Sequence, residues 1–321
     1  MSRARQLTGL LLRRGAQGVA VALLVSTLCF AVVWQLPGDV AYRIAAGRYG
    51  HDLVDAAAAD AVRAELGLDR PLWQQLLDWL GSLLRLDLGT SLVSSRPVVE
   101  EVAHHLVGTL QLAGAALLLA VLLGGSLGAL AARRPAGPVD RLVAAWVAAV
   151  RALPPFLLGL VLMVVVAVQL GWLPAVGHGG LDSIVLPALT LGIGLSGLVA
   201  KVTRDTVVEV QGSAYVGFAR TKGLSGRVVL VRHVLRNTGV VLVPYLGAQA
   251  VVLIEGVVVV ESLFAWQGLG HSLVHAVFWR DVPVLQAAGL VLALLVVAVN
   301  TIVDVTVLWL DPRPRGQEVL A

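Results

Sequence analysis

Leu106-Val-Gly-Thr-Leu-Gln-Leu-Ala-Gly-Ala-Ala-Leu-Leu-Leu-Ala-Val-Leu-Leu-Gly-Gly-Ser-Leu-Gly-Ala-Leu-Ala-Ala132 contains no charged side chain. About 20 apolar residues in a helix suffice to cross the hydrocarbon core of a bilayer. This run exceeds that length, and others flank it. Toward the N-terminus lies 15–34. Toward the C-terminus, a third apolar stretch approaches through 142–150, is interrupted by Arg151, Pro154 and Pro155, and continues over 156–170. A fourth covers 184–200, a fifth 238–260 with Glu255 inside it, and a sixth 285–310 with Asp304 inside it. The expected fold is all-α: a polytopic membrane protein with six transmembrane helices.

The composition points the same way. Of 321 residues, 58% are hydrophobic and 34 more are glycine, whereas a soluble domain totals about 45–50% for both together. Charged residues make up 14%, against about 25% in soluble chains. A soluble interior of this size cannot hide so much apolar side chain. Disorder, a collagen-like fibre and a disulfide scaffold are excluded, and the single Cys29 forbids an intramolecular disulfide. Aromatic residues are only 5%, which suits helices better than an outer-membrane barrel with its aromatic girdles. Arg3, Arg5, Arg13 and Arg14 mimic the start of a signal peptide. The apolar stretch after them is too long, and no A-x-A cleavage site follows, so the first helix is expected to be retained.

Segments 1–14, 132–151, 201–237 and 311–321 hold 17 of the 24 Lys and Arg residues. Segments 35–105, 171–183 and 262–284 hold the other 7. The positive-inside rule then puts both termini in the cytoplasm. The chain is expected to divide into a cytoplasmic N-terminus (1–14), span one (15–34), an external helical excursion (35–105), a transmembrane core (106–310) and a cytoplasmic C-terminus (311–321). The external excursion carries ten acidic residues between Asp39 and Glu101. An acidic, Ala-rich helix is expected over 52–66, and an amphipathic helix over 72–84 that packs on the external ends of the spans. The cytoplasmic loop 201–237 holds seven basic residues. A short helix is expected over 213–222, with Ser213 as N-cap and Gly223 just past its end, then a second basic helical stretch over 228–236. Together these would form a compact docking knob, or simply supply the basic residues that fix topology; spacing alone does not decide between the two.

At this loop the sequence resembles a family. Tyr215-Val-Gly-Phe-Ala-Arg-Thr-Lys-Gly223-Leu-Ser and Val231-Arg-His-Val-Leu-Arg-Asn237 look like the coupling loop of ABC-importer permeases, specifically the dipeptide/oligopeptide/nickel family. Leu36-Pro-Gly-Asp39, Leu66-Gly-Leu-Asp-Arg-Pro71, Leu86-Asp-Leu-Gly89 and Arg96-Pro97-Val98 resemble its first external region. Glu261-Ser-Leu-Phe-Ala-Trp266-Gln-Gly268-Leu-Gly270, Arg280-Asp281 and Asp311-Pro-Arg313 resemble its last external loop and C-terminus. In the family's Glu-Ala-Ala coupling motif, Gly217 stands at the Glu position and Phe218 at the first Ala, while Ala219 and Gly223 match. Gln267 stands where a Pro is usual, and is expected to loosen that turn. Leu110–Ala116, 172–180 and Phe264-Ala-Trp266 look closer to the nickel branch.

The resemblance implies a type I importer permease working by alternating access. Its partners would be a second homologous permease in a heterodimer, two cytoplasmic ABC ATPases, an external solute-binding protein and the lipid bilayer, with no nucleic acid. The cargo would be small peptides or nickel-type metal chelates. Tyr215, Ala219, Arg220, Lys222, Gly223, Leu224 and Arg232 would couple to the ATPases. No G-x-x-x-x-G-K-[ST] phosphate loop occurs in the chain. ATP and Mg would therefore bind the partner ATPases, and no cofactor is expected here.

Among the remaining polar residues, Glu255, Glu261 and Asp304 are pathway candidates, because a carboxylate within a span must face a cavity or a partner. Glu261 sits at the outer end of span five, and Asp304 is close enough to the inner end of span six to pair with a basic residue instead. His271 and His275, four apart, would share a helix face and could offer two ligands to a transition metal, though no third ligand lies near in sequence. Gly124 and Gly128 form a small-xxx-small pair expected to serve packing within the chain. Two other classes stay in view: a stand-alone channel or secondary carrier, and an intramembrane enzyme using Glu255 and Asp304.

Overall fold

The computed structural model describes residues 3–35, 37–50, 54–176, 180 and 182–310. Leu36, Asp52 and the C-terminal segment 311–321 lie outside the described residues, as does the side chain of Glu255. The described residues form helices joined by short turns: α1 (Arg3–Gln35), α2 (Val40–Tyr49), α3 (Ala56–Leu66), α4 (Leu72–Leu84), α5 (Val98–Ala131), α6 (Pro138–Ala152), α7 (Pro155–Leu162), α8 (Val185–Gly212), α9 (Ala214–Thr221), α10 (Gly226–Val229), α11 (Arg236–Leu263), α12 (Leu269–Trp279) and α13 (Val282–Leu310). A π-helical segment, Met163–Gln169, extends α7, and another, Leu230–Leu235, joins α10 to α11. Five helical stretches are long and apolar enough to cross a membrane, and the α6–α7 pair makes a sixth if taken as one broken span.

That pair departs from the expected interrupted span. α6 and α7 meet at an angle of 98°. Pro154 and Pro155 lack the N–H groups needed to continue α6, and Leu153, preceding a proline, is extended at φ −96° and ψ 119°. The two halves of the apolar stretch therefore run in nearly perpendicular directions.

α5 and α8 form the spine. Gly124 and Gly128 sit directly on the backbone of α8. A Cβ at the first would overlap the Ser196 carbonyl, and one at the second the Ala200 carbonyl. Close contact of this kind replaces the hydrophobic drive that helices lack inside lipid. α11 and α13 pack beside the spine, and α1 packs on α13. Leu112, Ala116, Leu186, Leu191, Val257 and Val260 fill the central core. One end of the bundle carries α9 and α10; the other carries α12 with α2–α4.

At the α12 end, Asp39 caps α2 by accepting the N–H of Ala41 and pairs with Arg63 of α3. This places a helix that the sequence reading did not anticipate. Asp281 is buried between α12 and α13. It accepts the Ser91 hydroxyl and, at 3.1 Å, the Leu92 N–H. Burial holds its carboxyl above the usual range against those two bonds. Arg280 donates to the Pro37 carbonyl at 2.7 Å. The α12–α13 corner thus anchors both the exit from α1 and the turn before α5.

Candidate coupling surface and pathway residues

α9 is short and has two distinct faces. Val216 and Ala219 are buried with Val207, Val210, Val229 and Val234, and this small core seats α9 on α8 and α10. The adjoining face presents Tyr215, Phe218 and, past the helix, Leu224, all exposed. Arg220 and Lys222 are exposed as well, and the Lys222 ammonium lies 4.6 Å from the centre of the Phe218 ring. Gly223 closes the helix at φ +77°, donating to the Arg220 carbonyl at 2.9 Å. Ser213 occupies the N-cap position, but its hydroxyl donates backward to the Val210 carbonyl at 2.6 Å. The expected side-chain cap is absent, because the hydroxyl instead serves a carbonyl freed at the end of α8.

The candidate coupling residues therefore divide. Tyr215, Arg220, Lys222 and Leu224 lie on the open surface, Gly223 shapes the turn, and Ala219 is a packing residue. Gly217 is also exposed, with open space where a Cβ would be. Arg232 is exposed on the π-helical segment and lines a cavity of about 510 Å³ with Tyr215, Glu209, His233 and Arg236.

The pathway candidates also separate. Glu261 is fully buried. Its carboxylate accepts the Thr109 hydroxyl at 2.7 Å and the His271 N–H at 3.0 Å. Thr109 in turn accepts the Leu269 N–H at 2.8 Å. Together they cap the first turn of α12, whose N–H groups have no partner within the helix. Gly268, at the N-cap, leaves room for this, since a Cβ there would overlap the Glu261 carboxylate. Asp304 is engaged by Arg14 at 2.5 Å, which joins α13 to α1, and Arg14 also reaches Gln17 at 2.9 Å. Glu255 lies on α11 among residues of the fifth span.

Gln267 does not loosen its turn. Its amide oxygen lies 3.2 Å from His104 Nε2, its carbonyl packs on Gly108, and the neighbouring Trp266 indole donates to the Gly108 carbonyl at 2.9 Å. His271 and His275 do share a face of α12, with ring centroids 4.5 Å apart. They line a cavity of about 250 Å³ together with His105, Glu101 and Ser94. Among the described residues, no three His, Cys, Asp or Glu side chains converge to hold a metal ion.

Thr109 and the Asp140–Arg204 pair escaped the sequence reading, and Asp281 entered it only within the block that resembles the family's last external loop. Asp140 binds Arg204 through two bonds, at 3.0 and 2.7 Å, and also accepts the Ala136 N–H. Only Asp140 carried a sequence signal, as an acid in the first turn of a helix that opens with proline.

The chain is similar to known proteins. Residues 124–316 match the family described as binding-protein-dependent transport system inner membrane component, and residues 7–113 match its N-terminal region. The glutathione transport system permease protein GsiC of Pectobacterium atrosepticum is 39% identical over 92% of this chain and 95% of its own length. The protein of the same description from Escherichia coli strain K12 is 37% identical over the same shares. An inward-facing structure of the MetNI methionine ABC transporter is 18% identical, with a TM-score of 0.57, covering 68% of this chain and 99% of its own. That structural likeness shows the fold, while the sequence matches span nearly the whole chain. The chain belongs to the binding-protein-dependent transport system inner membrane component family and is a multi-pass, membrane-spanning permease subunit of an ATP-driven ABC importer.

Proposed function

We propose that this permease pairs with a second, homologous permease and imports small peptides of the glutathione class, and that it binds no ATP itself. The cargo reading rests on relatives that are 37–39% identical over 92% of the chain and carry that description. The two-faced α9 carries the coupling reading. Val216 and Ala219 fasten it to the bundle, leaving Tyr215, Phe218 and Leu224 open to an ATPase. The 17-to-7 split of basic residues supports an orientation with α9 and both termini in the cytoplasm, where ATP is found. Segment 35–105, with helices α2–α4, would then face the binding protein outside. The sequence has no phosphate loop, so ATP and Mg would bind to two separate ATPase subunits. Their closure would move α9 and switch the pathway between inward- and outward-open states.

The test is uptake in a strain lacking this gene. Labelled glutathione, a labelled dipeptide and labelled nickel, free and chelated, are supplied with and without the restored chain. Restored peptide uptake that requires the co-expressed ATPases supports the proposal. Restored nickel uptake alone would move the protein to the metal-chelate branch. Uptake by the pure chain in vesicles without ATPases would make it a stand-alone carrier.

A further inference from the structure

The geometry points to an anionic-phospholipid site between α6 and α8, seated at the level of the lipid headgroups. A cavity of about 480 Å³ opens between these two helices. Four cations line it: Arg141, Arg151, Lys201 and Arg204. Val143, Ala144 and Val147 of α6 add apolar lining. Two acids also line it, Asp140 and Asp205, and both are committed. Asp140 holds Arg204 through two bonds, and Asp205 holds Lys201 at 2.7 Å and Arg204 at 3.0 Å. Among the described residues, neither Arg141 nor Arg151 takes part in an ion pair. The cavity therefore keeps two uncompensated positive charges beside apolar lining. That combination matches a phosphate headgroup with the start of its acyl chain.

The position agrees with that occupant. The apolar part of α8 ends at Ala200, and charge begins at Lys201. The apolar part of α5 ends at Ala132, followed by Arg133 and Arg134. The cavity therefore lies where the spans leave the hydrocarbon core. α6 turns through 98° relative to α7, so if α7 crosses the bilayer, α6 lies along its surface. It is amphipathic in the way such helices are. Leu142 is 71% exposed, Val139 and Leu153 are exposed with it, and arginines stand near both ends. Leu142, Val139 and Leu153 give α6 an exposed apolar surface, and basic residues at the level of the headgroups attract anionic lipids. The Trp146 indole donates to the Ser196 hydroxyl at 3.3 Å and fixes α6 against α8, so the cavity walls belong to two connected helices. The site depends neither on the identity of the cargo nor on which leaflet it faces.

The assembled transporter, purified with its ATPases and partner permease, is examined by native mass spectrometry. The probes are phosphatidylglycerol, phosphatidylcholine with the same chains, and inorganic phosphate. The parent is expected to retain phosphatidylglycerol at least tenfold better than phosphatidylcholine, given the attraction expected for two basic residues near an anionic surface. The doubly substituted Arg141→Gln/Arg151→Gln protein should lose that preference, and Arg141→Lys/Arg151→Lys should keep most of it. An unchanged thermal midpoint and retained ATPases in the Gln protein exclude misfolding as the cause. Equal retention of both lipids, or unchanged retention in the Gln protein, overturns the site. So does displacement of the lipid by inorganic phosphate. Cross-linking of Ala148→Cys, in a Cys29→Ser background, to the partner permease would show a protein surface there instead and would also overturn it.

Discussion

Glu261 shows how one side chain changes meaning between sequence and structure. In the sequence it is a carboxylate at the end of a span, and such residues belong to a pathway or a partner. In the fold it is fully buried and caps α12 with Thr109. Gly268 is inseparable from it, because any Cβ would overlap the carboxylate. Gly268→Ala is therefore expected to destabilise the protein by about 1–3 kcal/mol, the range for overpacking a closed site. Truncating Glu261 to Ala in the same chain should recover part of that loss. Thermal melts of the four proteins of the cycle measure the coupling, and strict additivity would contradict the contact. Asp281 offers a second residue-level prediction. Burial raises its pKa, so the protonated acid is the better-accommodated form. That stabilisation is complete below the ordinary aspartate value of about 3.9 and is lost as pH rises through the raised value. Asp281→Asn is expected to flatten the decline of the thermal midpoint as pH rises above about 4. An identical slope in parent and variant would remove the carboxylate as its source.

At the scale of an element, α9 divides its eight residues between holding and presenting. Ala219 is 5% exposed and Phe218 is 61% exposed, although they are neighbours in a motif that the family resemblance treats as one unit. Substitutions at the two sites should fail differently. Ala219→Asp buries an unpaired charge in the small valine core and is expected to lower the melting temperature of the permease itself, by several kcal/mol of stability. Phe218→Asp leaves that core intact and should fold normally, yet release the ATPases during purification. Equal thermal midpoints together with equal ATPase recovery for the two proteins would refute the division. The same reasoning explains what was legible along the chain. α4 appears over the residues its apolar spacing predicts, but Leu72, Trp73, Leu77 and Leu84 stay exposed instead of packing on the spans; α9 closes at Gly223 as its punctuation predicts. α2 went unanticipated although Asp39 is a local N-cap, because its buried face, Ala41, Ile44 and Ala45, packs against Val62 of α3, and no local pattern records such a partner.

Across the whole molecule, α1 joins the bundle through α13, and Arg14–Asp304 is the polar link in that seam. Both side chains remain partly exposed, at 25% and 35%, so the pair is expected to contribute about 1 kcal/mol or less. Arg14→Gln, Asp304→Asn and the double variant should therefore lie within about that span of one another in thermal unfolding. The Michaelis constant for uptake should be unchanged in Asp304→Asn, and a large rise in it would return Asp304 to the pathway. The number of apolar stretches, the basic asymmetry and the coupling-loop words are properties of composition and order. The sequence alone therefore determined that this is a helical membrane permease and where α9 begins and ends. Only the tertiary structure decided that α6 and α7 meet nearly at a right angle, that Glu261 caps a helix and Asp304 pairs with Arg14, and that cations from α6 and α8 surround one cavity. The physical reason is that burial, pairing and bend angle depend on what a residue meets from distant parts of the chain. Hydrophobic periodicity records only which side of its own helix the residue occupies.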